Sequence, residues 1–318
     1  MALKGIDSII FGVEDIDACR RFLVDWGLND LTQKQDVLLF ETLDGSQIVV
    51  KHESDPSLPP AFEDGNTVRK VIWGAESQEE LDQTIAALRA GGPTGIDSHG
   101  LVSAVDPNGL CHAVRLSRRR PITVEPTLSN TPGAVQRIDR RGAAYKEAHP
   151  IKIGHIVLFC SDWEAMRTFC EGRLGFVVSD EYPGFGVFLR CKARAEHHNA
   201  FLINRPGKAG VAHVAFTLAD IHEVFGGGMS MMRKGWRTEI GPGRHPLSST
   251  YFWYFFNPLC APLEYHADED YCTEAWQPGR FKRAPELFAE WAIAGGIDGH
   301  TRRQVKTIDP AAGAHAPD

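Results

Sequence analysis

The chain has 318 residues, enough for two domains or one large one. A formal net charge of -7 argues against a nucleic-acid partner, and no apolar run reaches the roughly 18 residues that a membrane span needs. Seven scattered cysteines without a CxxC pair suggest neither a zinc ribbon nor a disulfide framework, and fit a reducing, cytoplasmic setting.

The N-terminal "MALKGIDSIIFG" has a short apolar patch with an acidic sequel, which is not the pattern of a signal peptide. From Gly5, "GIDSIIFGVEDIDACRRFLVDWGLND" predicts an apolar strand, a helix opening at Asp15 and a turn at Gly27. A capping carboxylate followed by apolar residues at helical spacing is the physical reason to expect a helix there. Strand-like runs "VLLFET" and "SQIVVKH" follow. The same order recurs in "TVRKVIWGAESQEELDQTIAALRAGG", which ends in the hairpin "LVSAVDPNGLCHAVRLS". The polar, Pro-bearing stretch from Arg118 to Pro150 reads as a linker, with Arg118, Arg119 and Arg120 as its solvated edge.

From Ile153 the pattern restarts: "IGHIVLFCSDWEAMRTFCEGRLGFVV" opens a helix at Asp162 and exits at Gly175. "GVFLRC" and "NAFLIN" are its later strands. The fourth copy begins at "GVAHVAF" and ends in "TYFWYFFNPLCAPLEYH", an aromatic hairpin carrying one lone carboxylate, Glu264. Period-2 alternation sends about half of those rings into the core. A buried charge is costly without a partner, so Glu264 either faces water or meets a cation. In the tail, "APELFAEWAIAGG" predicts a short helix and "DPAAGAHAPD" a disordered end.

Four β-α-β-β-β units, paired into two cups, give an α+β organisation that resembles the vicinal oxygen chelate superfamily. The resemblance implies a double module at 1–118, a linker at 119–150, a metal-bearing double module at 151–272 and a tail at 273–318. In such a cup the ligands come from inward-facing strand positions. His155 lies in the first strand of the third unit, His213 in the first strand of the fourth, and Glu264 in its last strand. Two imidazoles and a carboxylate with open positions suit non-haem Fe(II). By repeat spacing, the N-terminal equivalents are Ser8, Lys70 and about Ala113. All three ligand types occur together in one half and are missing from the other, a segregation that a structural role does not require. His112 sits one position off the Glu264 register and faces the other side of its strand.

The C-terminal half is similar to the type I extradiol catechol dioxygenases. The similarity is carried by those three residues, by "GPGRH" ending at His245, by Tyr254 and Glu264 at matching spacing, and by "EYHADEDYCT". Tyr254 and Glu264 lie about symmetrically around Leu259, so they are expected to be cross-strand neighbours. "NPLCAP" departs from the family's Asp-Pro-Asx-Gly turn. The resemblance implies meta cleavage of a catechol with both atoms of O2 incorporated, with Fe(II) as cofactor and Mn(II) as the other option. It also implies a homo-oligomer. His245 and Tyr254 would contact the substrate oxygens. The acid–base histidine is His197 by its spacing to Ala200, while the distance to His213 favours His198. Arg190 and Arg244 are candidates to meet an acidic substituent. The competing readings are a hydroquinone dioxygenase, a glyoxalase-like isomerase with a further glutamate ligand, and a small-molecule binder without catalysis.

Overall fold

The computed structural model describes residues 1–294, apart from 35, 98, 99 and 126, together with 302–303. The "DPAAGAHAPD" end lies outside the described residues. Each of the four units forms as its spacing predicts. The first comprises β1 (Leu3–Val13), α1 (Ile16–Asp25), β2 (Asn29–Asp30), β3 (Val37–Glu41) and β4 (Gln47–His52). The second comprises β5 (Thr67–Ala75), α2 (Gln78–Ala90), β6 (Gly95–Ile96), β7 (Val102–Val105) and β8 (Cys111–Leu116). The third has β9 (Lys152–Cys160), α3 (Trp163–Arg173), β10 (Val177–Tyr182), β11 (Gly186–Arg190) and β12 (Ala200–Asn204). The fourth has β13 (Gly210–Thr217), α4 (Ile221–Arg233), β14 (Thr238–Arg244), β15 (Tyr251–Phe255) and β16 (Leu263–Ala267).

Local chemistry sets the boundaries. Asp15 and Asp162 accept hydrogen bonds from the amides of Ala18 and Ala165, and Asp220 does the same for Glu223. Each removes an orphan donor from the first helical turn. Gly27 leaves α1 at a φ of +84°, and a Cβ there would lie 1.9 Å from the Ala148 carbonyl oxygen, so both conformation and space demand glycine.

Units one and two share an eight-stranded sheet, ordered β2-β3-β4-β1-β5-β8-β7-β6. Units three and four share a larger sheet whose centre runs β12-β9-β13-β16-β15-β14. In both sheets the first strands of paired units run antiparallel side by side, β1 with β5 and β9 with β13. The helices cover one face, and one apolar core runs beneath them through both halves. Trp26, at the end of α1, stacks on Tyr265 of β16 with centroids 3.6 Å apart, and the Tyr265 hydroxyl donates to the Trp26 carbonyl at 2.8 Å. Phe216 and Phe255 meet the same indole edge-on. Unit one therefore packs on unit four. Trp73 meets Phe176 at 4.9 Å, so unit two packs on unit three.

Two expectations need correction. The arginine run is not a solvated edge throughout. Arg119 pairs with Asp44 at 2.6 Å and donates to the Lys4 carbonyl, because the chain leaves β8 across the buried Asp44 loop. Arg120 reaches Glu41. In the tail, the helix is only α5 (Pro285–Phe288), reached after the short β17 (Gly279–Arg280). Residues Trp291–Ala294 instead form β18, paired with β14. The open edge of β14 offers backbone partners that outweigh a weak local helix preference. Among the described residues no helix is long and apolar enough to cross a membrane.

Trp26 is fully buried where the two halves meet. Trp26→Ala is expected to cost about 3–5 kcal/mol by transfer and cavity terms. A denaturant midpoint unchanged from the unsubstituted protein would contradict this account of the shared core.

Candidate metal centre and active site

Strand register brings the three sequence-predicted ligands together. Ala215 of β13 pairs with His155 of β9 on one side and with Glu264 of β16 on the other. His213 lies two residues before Ala215, on the same face. The Nε2 atoms of His155 and His213 are 3.1 Å apart, and each lies 3.2 Å from Glu264 Oε2. One donor atom from each residue falls within 4.8 Å of the others. The corresponding row of the first sheet is Ser8, Ile72 and Ala113, with Lys70 in the place of His213. Lys70 is paired there with Asp97 at 2.9 Å. His112 faces the helices, held by Trp73 Nε1 and Asp106.

The donor set fits a divalent cation. Glu264 is 1% exposed, yet neither of its carboxylate oxygens receives an aligned hydrogen bond. Burial opposes its charge, but the imidazoles of His155, His213 and His245 hold its carboxyl well below the usual range. His155 is pushed down to about 4, first by burial and then by His198, so its ring is neutral and its lone pair free. An ionised carboxylate beside a neutral imidazole is the state a metal ligand set requires.

Further groups surround this cluster. Tyr254 pairs with Glu264 across β15 and β16, as their symmetry about Leu259 predicts. Its hydroxyl donates to His245 Nε2 at 3.0 Å, while the other His245 nitrogen donates to the Phe288 carbonyl. Burial first, and then Glu264, keep Tyr254 protonated. Asn257 preserves the turn that "NPLCAP" threatens. Its side-chain oxygen accepts from Leu259 and Cys260, much as Asp106 accepts from Asn108 and Leu110 in the second unit. The aromatic run splits as alternation requires: Trp253 and Phe255 join the main core, whereas Phe252 and Tyr254 pack with Ala289 and Ala292 of the tail.

Of the two candidate histidines, only His198 faces the cavity. His198 lines the cavity and its ring lies 4.1 Å from that of His155. His197 lies behind it, fully buried, with Nε2 on Asp180 at 2.9 Å and Nδ1 3.2 Å from His198 Nδ1. The pair sits in an irregular connection before β12, so strand alternation does not govern it. Glu269 accepts from the His198 amide and lies 3.0 Å from its Nδ1. These contacts place the proton of His198 on Nδ1 and leave Nε2 as the basic nitrogen. Burial and His197 hold His198 well below its ordinary pKa.

His155, His198, His213, His245 and Tyr254 border one cavity of about 590 Å³. Phe185, Phe188 and Phe201 form an aromatic wall, and Pro285, Leu287 and Phe288 of the tail close the opposite side. Neither arginine expected near an acidic substituent is there. Arg190 is spent on the Val178 carbonyl and Ser179, and Arg244 on Glu290. Arg283 instead reaches the cavity, over the ring of Phe185. Sequence reading also missed Glu239, Glu269 and Asp180. Only Glu269 left a trace, within the quoted "EYHADEDYCT".

A cup of paired β-α-β-β-β modules with two histidines and a glutamate at its floor defines a class of metal-site proteins. The description "Glyoxalase/Bleomycin resistance protein/Dioxygenase superfamily" matches residues 152–259. Metapyrocatechase 2 of Cupriavidus necator is 29% identical over 194 residues, 58% of this chain and 58% of that protein. The chain thus matches less than two thirds of that relative's length. The uncharacterized protein YwkD of Bacillus subtilis (strain 168) is 31% identical over 127 residues, 35% of this chain and 93% of that protein. Among solved structures, the Mn(II)-bound glyoxalase from Novosphingobium aromaticivorans superposes with a TM-score of 0.72 at 23% identity, covering 97% of this chain and 96% of that one. Homoprotocatechuate 2,3-dioxygenase from Arthrobacter globiformis gives 0.69 at 18% identity, covering 90% and 86%. The chain belongs to the glyoxalase/bleomycin resistance protein/dioxygenase superfamily, as its sequence repeat implied.

A pH dependence follows from the buried rings. His155 and His266 are each pushed down to about 4, chiefly by burial, against about 6.5 in an unfolded chain. The unfolded state therefore binds more protons between those values, and stability rises with pH across that window. Chelator-treated protein should hold its thermal midpoint above about pH 6.5 and lose it progressively toward pH 4. A midpoint that is flat across this range would contradict the neutral buried rings.

Proposed function

We propose that the protein is a metal-dependent extradiol dioxygenase that opens a catechol ring beside its two hydroxyls and incorporates both atoms of O2. One observation carries this reading: His198, His245 and Tyr254 border the same aromatic cavity as His155 and His213 of the His155–His213–Glu264 cluster. The three clustered residues would hold the cation, Fe(II) by donor set and Mn(II) as the alternative. Such an ion supplies Lewis acidity and brings a vicinal diol and dioxygen together.

The protein's own groups do the rest. The phenylalanine wall takes the arene and excludes water. His198, neutral with Nε2 free, accepts a proton from the diol and returns one to the product oxygen. Tyr254 stays protonated, and when the diol binds it turns its one hydroxyl proton from His245 Nε2 to a substrate oxygen. Glu269 and the His197–Asp180 pair hold His198 in its working tautomer from behind. The product is a ring-opened semialdehyde or keto acid, which needs no reductant beyond the substrate. An isomerase reading draws on the fold likeness to the Mn(II)-bound glyoxalase. It lacks the further glutamate ligand, because Glu239, the other carboxylate in the cavity, falls outside the described ligand cluster.

The test is to load the protein with Fe(II) or Mn(II) without oxygen, add a panel of catechols, and admit O2. We expect one O2 consumed per diol and a yellow ring-opened product. Bound metal with no oxygen uptake on any diol would leave the isomerase standing. Glu264→Gln should abolish stoichiometric metal binding. His198→Gln should retain the metal and lose roughly 10²–10⁴-fold in turnover, the usual worth of a positioned acid–base group. His197→Gln should lose less.

A further inference from the structure

One charged group in the cavity has no task in the scheme above. Glu239 lies near the start of β14, where the register with β15 shifts between Thr238 and Ile240. Such an irregularity re-aims side chains. Thr238 serves the opposite face, accepting from Trp253 Nε1, while Glu239 and Ile240 both line the cavity. Among the described residues nothing donates a hydrogen bond to Glu239 and no cation pairs with it. Its electrostatic neighbours are His213 and Tyr254, so it lies on the same side of the cavity as the metal cluster. Burial raises its carboxyl above the ordinary range.

A partly buried carboxyl group in this cavity, without a donor from the protein, contributes nothing the fold needs. Isoleucine follows it at 240, so an apolar side chain is tolerated in this part of the wall. We propose that Glu239 is a specificity residue that receives a hydrogen-bond donor carried on the substrate ring itself, a third hydroxyl or an amino group in addition to the diol. The inference rests on the ring-cleavage reading and narrows it. It sets the substrate class as hydroxy- or amino-substituted catechols and disfavours an anionic substituent at that ring position. Any acidic group on the substrate would lie at the other end, near Arg283. A site built around a substrate donor rejects the isostere that lacks it far more strongly than an apolar pocket rejects an added group.

The experiment measures anaerobic binding to the metal-loaded protein by calorimetry, using matched pairs: 1,2,3-trihydroxybenzene and 3-aminocatechol against 3-methylcatechol, and 1,2,4-trihydroxybenzene against 4-methylcatechol. We expect the donor-bearing member of at least one pair to bind about tenfold tighter or more. Glu239→Leu should bring that ratio to about one or invert it, Glu239→Gln should retain part of it, and both should keep the metal content of the unsubstituted protein. Equal affinities within every pair would overturn the inference while leaving ring cleavage intact. So would a ratio that survives Glu239→Leu, or a loss of metal in Glu239→Gln, which would make the residue a ligand. If no diol binds the unsubstituted protein, the dioxygenase reading falls and this inference with it.

Discussion

The structure turns on one buried carboxylate. Glu264 sits on the central strand of the larger sheet, 1% exposed, facing two imidazoles whose nitrogens are 3.2 Å away. A lone charge in such a place is unstable unless a counter-charge is supplied. Protonating the histidines would be one way to supply it, but burial and mutual repulsion hold His155 neutral. A divalent ion is another way, and it requires the carboxylate ionised and ring lone pairs free to ligate. The sheet fixes this geometry through ladder hydrogen bonds, since His155, Ala215 and Glu264 occupy one row of three adjacent strands. A slip of one residue in either pairing would turn a ligand to the opposite face.

Behind that row, a second set of contacts gives direction to the chemistry. The chain Asp180–His197–His198, with Glu269 alongside, runs from the buried interior to the cavity wall. Each member settles the protonation of the next. Asp180 accepts from His197 Nε2 at 2.9 Å, and Glu269 lies 3.0 Å from His198 Nδ1. The proton of His198 therefore faces inward and its lone pair faces the cavity. A lone histidine in the same place could flip or change tautomer. Here the backbone amide of His198 is bound to Glu269 as well, so ring and main chain share one anchor.

How far the sequence reached follows the same physics. The ligands were legible because they lie on regular strands in a repeated unit: spacing to Asp15 and Asp162 aligned His155 with Ser8, and ladder register bears out that alignment. Tyr254 opposite Glu264 was legible for the same reason. The choice between His197 and His198 was not, because spacing cannot orient rings in an irregular segment, and the ring that faces the cavity is decided by long-range contacts to Asp180 and Glu269. Glu239 was hidden by a register shift that period-2 reasoning cannot see. Arg190 and Arg244 looked available in sequence because their partners, Ser179 and Glu290, lie 11 and 46 positions away. The tail's extra strand depends on an open sheet edge that exists only once β14 has formed.

The two cups together separate what the fold needs from what the chemistry needs. Ser8, Ile72 and Ala113 fill the equivalent row of the first sheet, and the position of His213 is taken by Lys70 with its Asp97 partner. That sheet forms the same β-α-β-β-β pairs, with its strands and α1 buried in the same core. Metal-ligand residues are therefore dispensable for folding a unit of this kind. An Ala at the Glu264 position and a Ser at the His155 position satisfy the pleat at no electrostatic cost. In the second cup those same positions carry His155 and Glu264, whose charged forms burial opposes. Stability alone would favour the first cup's solution, so the second cup bears a cost that folding does not require.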